Sequence, residues 1–483
     1  MFCAAARSQT GTVASSPLQL STPDRQLQAA FDWAKSQALK YVSSGNDPVK
    51  AWYEAALPGR SAFCMRDVSH QAMGAQALGL SAQNKNMLYR FAQAVSASRD
   101  WAGYWEIDLD GKPSSADYVS DDDFWYNLPA NFDVMNAALR MYLWTGDPSY
   151  ISDPVFLTFY RHTMTDYIRR WQLEPANVIS RPRIMNRRLE SGKFVDARGI
   201  PGYTESRKEF NVGTDLLAAE YRALRLYAEL LRMRGSADSA PAFEAQAAGI
   251  AHVLETRGWD QRGRHFYNGL RQTGEGLGTG DAFVLYFGAA AKIEQRKLAL
   301  DELKKQTREP APGIEEQSYR PEILFHLNAP EEAYAQILDL SRPDRERREY
   351  PEVSYAILGS VVTGMMGVNV VPAESPVADH MLSQNVVIQT LPRLSENTPE
   401  AALDRLPIRQ NVIGVRHVRN RSSSITNESG PSFTWRAGFD GSIQHFLVNG
   451  KQVRAKAEQT TTGTTMSYVD VTLTPGKTIT VER

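Results

Sequence analysis

Arg66 and Asp67 stand side by side in Phe63-Cys64-Met65-Arg66-Asp67, where an apolar-periodic stretch begins. A carboxylate accepts from two neighbouring hydroxyls, and a guanidinium donates to hydroxyl or ether oxygens. The pair therefore suits a polyhydroxylated ligand. Asp67 equally suits the cap of a helix, with Arg66 paired nearby. Farther along, Trp101, Tyr104, Trp105 and Glu106 precede Asp121-Asp122-Asp123-Phe124-Trp125-Tyr126-Asn127. Aromatic faces cover the apolar faces of rings while carboxylates take the hydroxyl edges. Trp105, Asp122, Asp123, Trp125 and Tyr126 are expected contacts on that ground. The alternative is structural: aspartates ahead of a helix complement its dipole, and aromatics fill a core. A calcium loop would need a DxDxDG spacing that is absent.

Residues 173–213 hold Tyr203-Thr204-Glu205-Ser206-Arg207 and a basic set: Arg181, Arg183, Arg187, Arg188, Lys193, Arg198, Arg207 and Lys208. Such a set either receives an anionic substituent or forms a solvated flap. Glu315-Glu316-Gln317 follows Pro312-Gly313, where acids also favour a helix start. Glu349 and Glu352 flank Tyr350-Pro351. Other catalytic signatures are missing: no GxSxG elbow, no HExxH, no phosphate loop. The glycine-rich run 274–280 reads as a flexible rim. The eight histidines show no ligand spacing; His70, His265 and Tyr203 are the residues a proton-abstracting enzyme would use. Cys3 and Cys64 build neither a disulfide framework nor a thiolate metal site. No metal and no cofactor is expected.

These residues need elements to bring them together. Apolar steps of three and four mark helices, as at Leu27, Phe31, Ala34, Ala38 and Val42, and at Leu217, Tyr221, Leu224, Ala228 and Leu231. About twelve helices fill residues 22–373. Links after even-numbered helices are short, and links after odd-numbered ones are long and carry the unusual residues. Alternating long and short connections describe six hairpins closed into an (α/α)6 toroid, with every long loop at one mouth. The predicted class is mainly α, with a small C-terminal β-sandwich.

From residue 374 to 483 strands take over. Residues 444–453 form a hairpin about Asn449-Gly450, and 468–481 a second about Pro475-Gly476. Residues 1–21 read as a flexible leader in which Cys3 resembles a lipid-anchor cysteine, should the start be truncated. That implies a periplasmic or cell-surface location; a cytoplasmic one is the alternative. Lys+Arg 54 against Asp+Glu 55 leaves a formal charge of −1, which gives no footprint for nucleic acid. No run reaches the roughly 18 apolar residues of a membrane span.

Six helical hairpins with an attached sandwich resemble the six-hairpin glycosidases: glucoamylases, bacterial α-L-rhamnosidases and relatives. Phe63–Asp67 looks like their sugar-holding aromatic-X-Arg-Asp segment, Ser354-Tyr355-Ala356-Ile357-Leu358 like their last inner helix, and Trp435–Phe439 with Leu447–Gly450 like their closing sandwich. The resemblance implies an exo-acting, inverting hydrolase that removes a terminal sugar from an oligosaccharide by two carboxyls. It places the general acid in the 173–213 loop, at Glu205 beside Tyr203, and the base before the last helix, at Glu349, with Glu316 as fallback. The rivals are an epimerase or polysaccharide lyase on the same toroid and a glycan binder without turnover.

Overall fold

The structure, a computed structural model, describes residues 15–182, 192–194, 196–205, 209–307, 313–374, 382–460 and 463–483. Cys3, Arg183, Arg187, Arg188, Arg207, Lys208 and His380 lie outside them.

Fourteen helices are present among the described residues: α1 Arg25–Lys40, α2 Met65–Ala77, α3 Ser81–Gln93, α4 Ala130–Thr145, α5 Ser149–Ser152, α6 Pro154–His162, α7 Ile168–Trp171, α8 Thr214–Met233, α9 Ala240–Thr256, α10 Asp281–Tyr286, α11 Ile293–Gln306, α12 Ile314–His326, α13 Pro330–Ser341 and α14 Pro351–Gly359. Every helix expected from periodicity is here. The stretch expected over 154–172 is continuous, because a π turn at Thr163–Tyr167 joins α6 to α7. The helix expected over 279–292 stops at Tyr286; Gly288 follows with φ 67°, a value glycine adopts without strain.

The helices contact one another in a cycle. α2 packs on α4, α4 on α8, α8 on α10, α10 on α12, α12 on α14, and α14 returns to α2. Five of the others each pair with a helix of the cycle, α3 with α2, α9 with α8, α11 with α10, α13 with α12 and α1 with α14. α2 and α14 approach closely at Gly74. A Cβ there would stand 2.0 Å from the Tyr355 carbonyl oxygen.

Two larger sheets follow. One has seven strands in the order Gln19–Ser21, Glu400–Ile408, Asn411–Val418, Ser422–Ser429, Thr478–Glu482, His445–Val448 and Lys451–Arg454. The other has five, in the order Asn369–Pro372, Val386–Thr390, Phe433–Asp440, Thr465–Leu473 and Lys456–Gln459. Trp435 and Phe439 are buried. Gln19–Ser21, the end of the expected leader, is held because Leu18 and Leu20 are buried. The Asn449-Gly450 hairpin forms as expected, with positive φ at both residues (46° and 77°). The hairpin expected over 468–481 does not. Thr465–Leu473 joins the five-stranded sheet and Thr478–Glu482 the seven-stranded one, with Leu473 and Val481 both buried. The Pro475-Gly476 turn thus links two sheets rather than two paired strands.

Candidate active site

The long loops are stapled by short ribbons just ahead of the helices they feed. Ala62–Cys64 pairs with Glu106–Asp108 before α2, and Tyr126–Asn127 with Arg198–Ile200 before α4. Val212–Gly213 pairs with Gly269–Leu270 before α8. Gly269–Leu270 also pairs with Gly276–Leu277, so part of the expected flexible rim is a strand.

All six helices of the contact cycle carry an acid in the first turn: Asp67, Asp133, Asp215, Asp281, Glu315 with Glu316, and Glu352. Outside the cycle α11 and α13 also carry acids there, whereas α1, α3, α6 and α9 have none. The helix dipole favours negative charge at these positions, but burial opposes it. Burial lifts Asp67 to about 6 against the pull of Arg66. It lifts Asp133 to about 7 against a hydrogen bond from Tyr203, and Asp215 to about 6 against backbone N–H donors. It lifts Asp281 to about 8, and Glu352 well above the carboxyl range with Asp67 adding repulsion.

Arg66 is the centre of the cluster. Its guanidinium carbon lies 5.6 Å from the Trp105 ring centroid and 5.1 Å from that of Tyr203. Nη2 stands 3.6 Å from Glu205 Oε1, and Nη1 donates to the Tyr203 carbonyl at 3.4 Å. Asn127 Nδ2 donates to the same Glu205 oxygen at 3.0 Å. The Tyr203 N–H donates to Asp215 at 2.7 Å and its hydroxyl to Asp133 at 2.5 Å. Arg66, Asp67, Trp105, Tyr203 and Glu205, far apart in sequence, are therefore brought together.

Other expected contacts are engaged elsewhere. Asp123 is buried and accepts from the N–H groups of Lys193 and Phe194 at 2.9 and 2.8 Å, which clamps the loop. Trp125 packs on Phe194, Ala197 and Ile200. Tyr126 is fully buried, and its hydroxyl donates to Asn131 Oδ1, with Met65 Sδ 3.3 Å away. Asp122 is half-buried, its N–H donating to Ser120 Oγ at 3.3 Å. Glu349 sits exposed on a turn, its carbonyl accepting from the Tyr41 hydroxyl. Glu316 pairs with Arg320 at 3.2 Å. Arg181 is buried and donates to the carbonyls of Trp171 and Asn211 at 3.1 and 3.0 Å; Arg198 pairs with Asp100 at 2.5 Å. These two cations hold the loop together.

The sequence reading missed Asn127, Asp133 and Asp215 and passed over Glu352 for Glu349. Asp133 did carry a signal, as a lone carboxylate in the apolar run Phe132–Met135. Among the described residues no group of three or more His, Cys, Asp or Glu could hold a metal ion, and no helix is long and apolar enough to cross a membrane.

No protein-family model matches the sequence, and no curated protein matches it. Solved structures do resemble it in fold. An α-L-rhamnosidase from Dictyoglumus thermophilum superimposes with a TM-score of 0.60 at 11% identity, over 98% of this chain and 51% of that one. A GH78 family rhamnosidase of Bacillus sp. GL1 gives 0.58 at 13%, over 86% and 41%. An α-L-rhamnosidase from Aspergillus terreus gives 0.53 at 10%, over 96% and 51%. The chain thus spans about half or less of the length of these neighbours. At such identities the likeness is one of fold.

Proposed function

We propose that this protein is a glycoside hydrolase, exo-acting and inverting, that removes a terminal sugar from an oligosaccharide at the Arg66 cluster. The closed cycle of helices is read as the (α/α)6 toroid, and the two sheets as its β-sandwich. One observation carries the proposal: Glu205, from the 173–213 loop, ion-pairs with Arg66 at 3.6 Å, and Glu352, buried in the first turn of α14, is raised by burial and by its nearness to Asp67. Two carboxyls flanking a hydroxyl-gripping Arg-Asp pair are what glycosidic cleavage requires.

The environments divide the work. Buried Glu352, its carboxyl pushed well above the usual range, serves as general acid, and Glu205, ion-paired to Arg66, activates water. This reverses the order implied by the resemblance and replaces Glu349 with its neighbour one helical turn on. Trp105 and Tyr203 supply the apolar walls. A periplasmic or cell-surface location and a lipid anchor at Cys3 belong to the same proposal.

The test is sugar release from a panel of plant, algal and bacterial oligosaccharides, with the first-formed anomer read by proton NMR. Loss of release in both Glu205→Gln and Glu352→Gln is the expected outcome. Release that survives both substitutions removes these carboxyls from the mechanism. A retained anomer overturns inversion. The rival epimerase or lyase rests on the hydrogen bond from the Tyr203 hydroxyl to the buried Asp133 and would yield an epimer or an unsaturated product lost in Tyr203→Phe. His70 and His265 fit that rival less well: His70 is buried against Tyr319, and His265 stands 3.8 Å from Asp260, apart from the cluster.

A further inference from the structure

Behind Tyr203, inside the cycle of helices, lies a cavity of about 50 Å³. Its walls include His70, Asp133, Asn136, Arg140, Tyr203 and Glu322. Arg140 and Glu322 satisfy each other as an ion pair. Three buried atoms on the same walls have no hydrogen-bond partner: His70 Nδ1, Asp133 Oδ2 and Asn136 Oδ1. Buried polar atoms normally find partners, so three in one small cavity mark a place where a guest supplies them.

The protons on these walls can be assigned. Ser318 Oγ donates its one hydrogen to the Glu315 carbonyl at 2.6 Å. His70 Nε2, 2.9 Å from that oxygen, must therefore be the donor. Nδ1 of the neutral ring is left as a bare acceptor. His70 is held neutral by burial, down at about 3, and its ring stacks on Tyr319 at 3.5 Å. Asn136 spends its amide nitrogen on the Ala219 carbonyl at 3.3 Å, so its oxygen is an acceptor too. Asp133 uses one oxygen for the Tyr203 hydroxyl and turns the other to the cavity.

We propose that this cavity is a specificity pocket for the exocyclic hydroxymethyl group of the bound sugar, with His70, Asn136 and Asp133 as its partners. The inference rests on the glycosidase reading above. It goes beyond it by naming the substrate class: hexosides with a free C-6 hydroxyl, in preference to 6-deoxy sugars and uronates. A hydroxyl donates to the Asn136 oxygen or to His70 Nδ1 and accepts from the acid form of Asp133. A methyl group leaves all three unpartnered. A uronate carboxylate sets its acceptor oxygens against the bare acceptors His70 Nδ1 and Asn136 Oδ1. The space suits a few water-sized groups, not a whole ring, so only a side arm enters, past Tyr203.

The experiment measures binding by calorimetry for matched trios of monosaccharides, each trio a hexose, its 6-deoxy analogue and its uronate, alongside hydrolysis of the corresponding glycosides. The full chain is used, together with Asn136→Leu and His70→Phe. The expected result is a preference of about tenfold or more for the hexose over its deoxy analogue, the scale of one to two net hydrogen bonds. Asn136→Leu shrinks that preference to about twofold. His70→Phe, which keeps the stack on Tyr319, does the same and guards against misfolding of the first variant. Hydrolysis with equal or reversed preference overturns the pocket and leaves the glycosidase reading standing. Neither binding nor hydrolysis of any sugar in the panel overturns both.

Discussion

The Tyr203 hydroxyl donates to the Asp133 carboxyl at 2.5 Å, which ties the 173–213 loop to the first turn of α4. Tyr203 also covers Arg66 with its ring and donates its N–H to Asp215. One residue thus joins three helix starts. Tyr203→Phe keeps the ring and removes the tie, leaving buried Asp133 with no partner on either oxygen. The expected loss is about 1–3 kcal/mol by urea titration. Because the tyrosine hydrogen bond holds the Asp133 carboxyl down, its titration midpoint should move above about 7, read by carbon NMR. An unchanged midpoint would show that the bond is absent in solution.

Glu349 and Glu352 lie three residues apart and meet opposite surroundings. Glu352→Gln should lower turnover by about 10²–10⁴-fold, the usual worth of a general acid. Its fold should persist, because the amide is neutral like the acid it replaces. Glu349→Gln, at an exposed turn, should stay within about twofold. Steady-state kinetics on one substrate decide between them, and equal losses would sink the choice of Glu352.

Asp281 is 1% exposed; it accepts from the Phe266 N–H at 2.7 Å and leaves Oδ2 unpartnered. Burial raises its carboxyl to about 8 in the folded chain, against about 4 when unfolded. The folded state then binds the proton more tightly. Its contribution to stability is fully present below about pH 4 and is lost as pH rises towards 8. Asp281→Asn stays neutral throughout. Thermal melts should show the variant close to the parent near pH 4 and increasingly more stable than it up to pH 8. A difference that does not change with pH would mean that Asp281 ionises freely in the fold.

Gly74 marks the crossing of α2 and α14. A Cβ at 2.0 Å from the Tyr355 carbonyl oxygen meets backbone, which cannot swing aside. Gly74→Ala should destabilise by about 1–3 kcal/mol or more through overpacking, despite the better helix propensity of alanine. Calorimetric melting of the two proteins checks it, and an unshifted melting temperature would show that the helices separate at low cost.

The sequence by itself determined the elements. Helical periodicity is a local property, and the helices expected from it are present, one of them shorter. The Asn449-Gly450 hairpin follows from the positive φ those two residues accept. Arg66-Asp67 and Trp105 declared themselves by type, whereas Glu205 beside Tyr203 was pointed to by the resemblance, which implies an acid in the 173–213 loop. What only the tertiary structure decided is what each group faces. Desolvation is non-local, so nothing around Pro351 says that Glu352 turns inward beside Asp67 while Glu349 stays in water. Strand partners are also chosen across the molecule, so Thr465–Leu473 and Thr478–Glu482 go to different sheets though a tight turn joins them. Asp123 and Tyr126 have the chemistry of ligand contacts, but the fold spends them on a loop clamp and a buried hydroxyl. The raised carboxyls around Arg66 arise from the same cause: acids drawn to helix starts by the dipole, then buried by packing.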